Sequence, residues 1–153
     1  MKHKNKTLAF LGVVSIGVFF LMCQCNNEPY YTCSSDQLIS NTWMVEEYGN
    51  ESNLQPITYS IGRIYFEIES DTTFTGFGGC NQFGGKYRIL GDCSIAIYDG
   101  WMTLAGCLPI AIQNQERAII DIIMSANKFR VGEDILLLET PNKRVLKCYR
   151  KFD

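Results

Sequence analysis

The chain has 153 residues, a length that fits one domain, and a formal net charge of −2. All 16 acidic residues but only 11 of the 14 Lys and Arg residues follow position 22, which leaves a net charge of −5 after that point. This acidic balance excludes nucleic-acid binding through a basic surface, and it excludes binding to anionic lipid through charge alone.

The first 22 residues are predicted to be a signal peptide. Three lysines within the first six positions are followed by an uncharged apolar run over residues 8–22. That run of about 15 residues is shorter than the roughly 20 needed to span a bilayer, which favours a secretion signal over a permanent anchor.

Cys23 follows this run directly, as the acylated cysteine of a bacterial lipoprotein does. Met22 stands where a small residue is usual, so Cys25 is the second candidate, and an ordinary signal peptide cut nearby is the alternative. We expect residues 23–40 to be the lipid attachment and tether, residues 41–153 to be the folded domain, and the location to be the bacterial cell envelope at the outer membrane.

Cysteines are plentiful and histidine is almost absent. A secreted chain meets an oxidising compartment, and if Cys23 carries lipid, six cysteines remain with 15 arrangements into pairs. The single histidine, His3, lies in the signal, and no Cys-x-x-Cys follows it. We therefore expect no metal, no cofactor and no enzymatic activity. The seven cysteines are Cys23, Cys25, Cys33, Cys80, Cys93, Cys107 and Cys148.

The first half of the domain predicts strands. Residues 42–48 form a β-rich segment, and residues 49–56 are predicted to be a polar loop. Over residues 61–69, apolar side chains alternate with polar ones, which is typical of a half-buried strand. The inward face of that strand is predicted to hold Ile64, Phe66 and Ile68.

Residues 74–87 contain five glycines, and we predict here a strand, a sharp corner and a second strand. The corner begins at Cys80, and the second strand begins near Gly85. We next predict a strand over 94–98, a hairpin turn at Asp99-Gly100 and a strand over 101–107.

The period then changes to three and four residues over 111–126, which predicts one amphipathic helix. Strands over 128–132, 135–140 and 144–152 complete the chain. About eight short strands and one inserted helix predict a mainly β fold, either a small antiparallel β-barrel or a strongly curved sheet.

Four segments resemble the META/HslJ-like domains, and the resemblance covers about residues 42–149. Ala105 and Gly106 depart from the family pattern, which usually has Met and Ala there. The segments are Trp43, then Gly79-Cys80-Asn81-Gln82-Phe83-Gly84-Gly85-Lys86-Tyr87, then Met102-Thr103-Leu104-Ala105-Gly106-Cys107, and finally a helix with an early Glu116 followed by residues 132–138.

The resemblance implies a small conical β-barrel with one helix. Many such domains are bacterial envelope lipoproteins, some are linked to heat or antibiotic stress, and no enzymatic activity is established for them. The motif residues carried over are Gly79, Cys80, Asn81, Phe83, Gly85, Tyr87, Thr103, Cys107 and Glu116.

The resemblance implies that Cys80 and Cys107 pair, as a structural disulfide or as close thiols, with a redox or ligand pair as the alternative. Cys33 and Cys148 are a second candidate pair, because the first and last strands of a closed barrel adjoin. Asn81 is read as a turn residue, with a ligand contact as the alternative. Glu116 is read as a hydrogen-bonding group, with a catalytic acid as the alternative.

A set of aromatic side chains has two interpretations, a packed core or the lining of an apolar cavity. The first supports a non-catalytic envelope lipoprotein that binds a protein or envelope partner. The second supports a carrier or sensor of a small apolar ligand in the barrel interior. The set is Phe66, Phe74, Phe77, Phe83, Tyr87 and Trp101.

Overall fold

The structure is a computed structural model, and it describes residues 30–58 and 60–152. The signal and both lipid-attachment candidates, Cys23 and Cys25, lie outside the described residues. The described elements, in chain order, are α1 (Ser35–Leu38), β1 (Asn41–Asn50), β2 (Asn53–Pro56), β3 (Tyr65–Ile68), β4 (Thr73–Phe77), β5 (Gln82–Gly91), β6 (Ser94–Met102), α2 (Ile110–Ser125), β7 (Lys128–Val131), β8 (Ile135–Glu139) and β9 (Arg144–Arg150).

The strands form one antiparallel sheet that closes on itself. β1 pairs with β9 on one side, and with β2 and then β3 on the other. From β3 the sheet continues through consecutive neighbours to β9, so the pairing of β1 with β9 completes a ring. The predicted mainly β fold with a strongly curved antiparallel sheet is confirmed.

The interior of the ring is filled by apolar side chains. Ile64, Phe66 and Ile68 are all buried, as their alternation predicted. Trp43 and Phe83 are fully buried, and the rings of Phe74 and Phe83 pack with centroids 6.4 Å apart. Neither described helix is both long and apolar enough to cross a bilayer.

Three local predictions were wrong. Residues 49–56 are not a loop, because β1 turns at residues 51–52 into β2 and pairs with it. Asp99-Gly100 is not a hairpin turn but a bulge inside β6, where Asp99 has a φ of 51°. The strand predicted over 101–107 therefore ends at Met102, and the residues after it form a loop. The short helix α1 was not predicted.

Trp101, the first residue after the bulge, packs on β5. Gly84 pairs with Trp101, and a Cβ on Gly84 would stand 2.7 Å from the Trp101 ring. The absent side chain at Gly84 leaves room for the Trp101 ring. A bulge redirects the side chains that follow it, and Trp101 is the first residue after this one.

The candidate pair Cys33 and Cys148 is wrong. Strands β1 and β9 do adjoin, but Cys148 faces the core with no exposed surface and is a free thiol. Cys33 instead bonds Cys93. The segment before α1 pairs with β7 through Thr32 and Val131, and this pairing brings Cys33 beside the turn between β5 and β6.

Cys148 is expected to resist alkylation in the folded protein. Burial raises the pKa of its thiol, because desolvation disfavours the reactive thiolate. Iodoacetamide at pH 8, followed by peptide mass spectrometry, should label Cys148 only after unfolding in urea. Rapid labelling of the native protein would contradict the buried position.

Candidate functional site

A buried hydrogen-bond network joins α2 to the corner between β4 and β5. Glu116, on α2, is only 2% exposed. Its Oε1 accepts from the backbone N–H of Asn81 at 2.5 Å and from that of Cys80 at 3.0 Å. Its Oε2 accepts from Asn81 Nδ2 at 2.7 Å. Three donors thus compensate the buried carboxylate for the loss of water.

The Asn81 side chain extends the network to the loop after β6. Its Oδ1 accepts from the backbone N–H of Ala105 at 2.7 Å and from Thr103 Oγ1 at 2.9 Å. Thr103 Oγ1 also accepts from the N–H of Gln82 at 3.1 Å. Both the nitrogen and the oxygen of the Asn81 side-chain amide are thus hydrogen-bonded, and the residue is 3% exposed. These contacts favour the turn interpretation of Asn81 over a ligand contact.

Two further features hold the corner. The structure joins Cys80 to Cys107 by a disulfide, with Cα atoms 6.2 Å apart, and so ties the corner to the loop after β6. A Cβ on Gly78 would stand 2.7 Å from Glu116 Oε1, so glycine allows the helix to approach. The network and the disulfide together form a structural junction of three chain segments.

The remaining motif residues lie along β5. Phe83 is in the core. Gly85 packs against the Phe74 ring, and a Cβ added to Gly85 would stand 2.9 Å from that ring. Tyr87 Oη donates to the carbonyl oxygen of Glu69 at 2.6 Å, towards the opposite end of the ring. Burial, together with Asp71 and Glu69, raises the pKa of Tyr87 and keeps its hydroxyl a donor. Gly79, at the corner, has a φ of 106° that favours glycine.

An apolar groove lies beside this junction, and the sequence did not point to it. It consists of three adjoining cavities between β6 and α2, of about 320, 520 and 230 Å³. All three share Met102, and we call them together the β6–α2 groove. Tyr98, Trp101, Ile120 and Met124 line its first cavity.

The groove and the neighbouring loop expose large apolar side chains. Trp101 is 47% exposed, so its predicted inward position, as core or as cavity lining, is wrong. Leu104, which lines the groove, is 88% exposed, and Leu108 in the same loop is 86% exposed. Phe66, Phe74, Phe83 and Tyr87 of the predicted aromatic set are buried in the core, whereas Phe77 is half-buried, alternates with the inward-facing Gly76 and does not pack against the core, so its predicted inward position is also wrong. In the described part of the chain, no cluster of three or more metal-ligating side chains occurs.

The chain matches the model of the META domain over residues 36–152. Its fold is similar to that of a protein from Burkholderia xenovorans solved by NMR, with a TM-score of 0.68, 16% identity, and coverage of 98% of this chain and 100% of that one. It is also similar to a crystal structure of a DUF4847 family protein from Bacteroides vulgatus, with a TM-score of 0.52, 18% identity, and coverage of 76% and 96%.

A third similar structure, also solved by NMR, has a TM-score of 0.59 and 16% identity, and covers 76% of this chain and 94% of that one. At these identities, the likeness to solved structures concerns the fold alone. No curated protein matches the chain. Because the family model matches most of its length, the chain belongs to the META domain family.

Proposed function

We propose that this protein is a non-catalytic lipoprotein domain of the bacterial outer membrane that binds an envelope protein through the β6–α2 groove. One observation carries the proposal: large apolar side chains are exposed along this groove while the interior of the ring is filled. Contiguous exposed apolar surface marks interaction sites in folded domains. Trp, Tyr and Met, which line this groove, are typical of binding surfaces.

The alternative, a carrier or sensor of a small apolar ligand inside the ring, has less support. Phe66, Phe74 and Phe83 are each at most 2% exposed and occupy the space that such a ligand would need. The network at Glu116 is also internally satisfied, and it offers no free acid for catalysis at that position.

The position of the groove fits an anchor at Cys23. Tyr30 is seven positions after Cys23, a reach of at most about 25 Å. The Cys33–Cys93 bond fastens the start of the domain beside the first residues of β6, whereas the groove lies towards Met102 at the other end of that strand. A lipid anchor at Cys23 would therefore attach the domain near the end of β6 that is far from Met102.

A photo-crosslinking amino acid at Leu104 of the full-length protein in its host tests the binding surface. We expect a discrete crosslinked protein in the membrane fraction for this position. Leu90, which is 56% exposed on β5 and does not line the groove, is the matched control. Equal products from both positions, or none from Leu104, would contradict a specific interface at the groove.

The anchor is tested on the same membrane fraction by mass spectrometry. A diacylglyceryl group on Cys23, or on Cys25, is expected. A mature N-terminus without lipid would overturn the lipoprotein proposal and leave the groove experiment unaffected.

A further inference from the structure

One edge of β6 has no neighbouring strand over most of its length. β6 pairs with β5 from Ser94 to Met102, but its only register with β7 is Ser94 opposite Lys128. The N–H of Ile95 still donates to the carbonyl of Asn127 at 3.1 Å. Beyond Ile95, no other strand among the described residues pairs with this edge.

The backbone groups of Ile97 point out of this open edge. The N–H of Tyr87 donates to Thr72, on the side of β5 that faces β4. Tyr87 is opposite Ile97, and in an antiparallel pair such residues direct their N–H and C=O groups away from each other. The backbone N–H and C=O of Ile97 therefore face the β6–α2 groove.

Met102 has the same orientation at the other end of the groove. The next residue, Thr103, donates its N–H to Gln82 on β5, so Met102 must direct its own groups outward. The edge thus presents backbone donors and acceptors on both sides of the Asp99-Gly100 bulge. An extended peptide backbone is the chemical complement of such an edge.

The walls of the groove suit the side chains of an added strand. Every second side chain of such a strand would face Ile120 and Met124 on α2. Met124 Sδ lies 2.7 Å from where a Cβ on Gly100 would stand, so this side chain packs directly over the bulge at the wall of the groove. Methionine is unbranched and can change its rotamer to fit an entering strand.

A positive charge marks one end of the groove. Arg117 is exposed, lines two of its three cavities, and makes no ion pair within residues 30–58 and 60–152. The neighbouring charge on α2, Asp121, is by contrast paired with Arg144 at 2.6 Å. A carboxylate on the bound segment would complement Arg117.

We infer that the β6–α2 groove binds an extended segment of a partner protein, which adds as a strand to the free edge of β6. Its apolar side chains alternate and face α2, and an acidic group meets Arg117. Recognition by strand addition takes affinity from the backbone and specificity from the alternate side chains. The inference rests on the proposed function, since it states how that partner binds.

Amide hydrogen exchange tests the free edge on the mature protein in detergent micelles. The N–H of Ile97 should exchange rapidly, whereas those of Ala96 and Tyr98, which face β5, should be protected. If Ile97 is as protected as its two neighbours without any partner present, the edge is already covered and the inference fails.

Random 12-residue peptides displayed on phage, selected on the same mature protein, test the occupant. Enriched peptides should alternate apolar and polar residues and should contain Asp or Glu. The Arg117→Glu variant should weaken their binding by about tenfold, and a basic residue at the acidic position of the peptide should restore it. Arg88→Glu, an exposed charge reversal on β5 away from the groove, is the matched control.

N-methylation of the selected peptide separates strand addition from other modes. Methylating the alternate amides that pair with β6 should weaken binding by about tenfold, and methylating the intervening amides should not. Three results would each overturn the inference. The selected peptides could have apolar residues three and four apart, as in a helix; their binding could be insensitive to both sets of methylated amides; or no peptide could depend on the groove. If crosslinking from Leu104 still succeeds, the binding role stands and only its mode is rejected.

Discussion

Replacing Glu116 with Ala is expected to lower the free energy of unfolding by about 3–5 kcal/mol. The variant removes the acceptor of three donors, namely the backbone N–H groups of Cys80 and Asn81 and the side-chain amide of Asn81. A buried donor without a partner costs about 1–3 kcal/mol. Urea denaturation followed by tryptophan fluorescence measures the loss.

Arg117→Ala is the matched control, because Arg117 is the next residue on α2 and is exposed. It should change stability by no more than about 0.5 kcal/mol. Glu116→Gln should be intermediate, since it keeps the shape but turns an amide group towards the donors. Equal stabilities for Glu116→Ala and Arg117→Ala would show that the network does not hold the helix to the corner.

Replacing both Cys33 and Cys93 with Ser is expected to lower the free energy of unfolding by about 4 kcal/mol. The bond joins residues 60 positions apart, and the chain-entropy cost of closing a loop grows with its length. The Cys80→Ser/Cys107→Ser variant opens a separation of 27 positions, and its expected loss is about 3.5 kcal/mol.

Both double variants are best compared in a Cys148→Ala background, because this background lacks the thiol that could exchange with the remaining disulfide during unfolding. Urea denaturation gives the two losses, and a non-reducing peptide map verifies the remaining pair. A loss below about 1 kcal/mol for the Cys33 and Cys93 variant would mean that the N-terminal segment does not depend on this bond.

Local periodicity predicted the elements well where one face of an element is buried. The alternation around Phe66 matches β3, and the helix predicted over 111–126 is found at Ile110–Ser125. Both patterns arise because the side-chain period follows the backbone geometry of the element itself. The prediction failed at Asp99-Gly100, where a dipeptide typical of hairpin turns instead forms a bulge beneath the packing of Trp101 on Gly84.

Resemblance named the residues of the junction without showing what each one does. Asn81 and Glu116 are 35 positions apart, and only the approach of α2 to the glycine-rich corner brings their side chains together. The groove had no sequence signal, because residues 101–107 were predicted to be a strand and not a loop that exposes Leu104. Its exposure follows from the end of β6 at Met102.

The fold class, the amphipathic helix α2 and the family could be predicted before the structure, because they depend on local periodicity and on short contiguous motifs. Three features could be read only from the folded chain: the pairing of Cys33 with Cys93, the side of β6 that lacks a neighbour, and the outward positions of Trp101 and Phe77. These properties depend on contacts between residues far apart in the chain. Their geometry is set by the closure of the ring and the docking of α2, which no local pattern encodes.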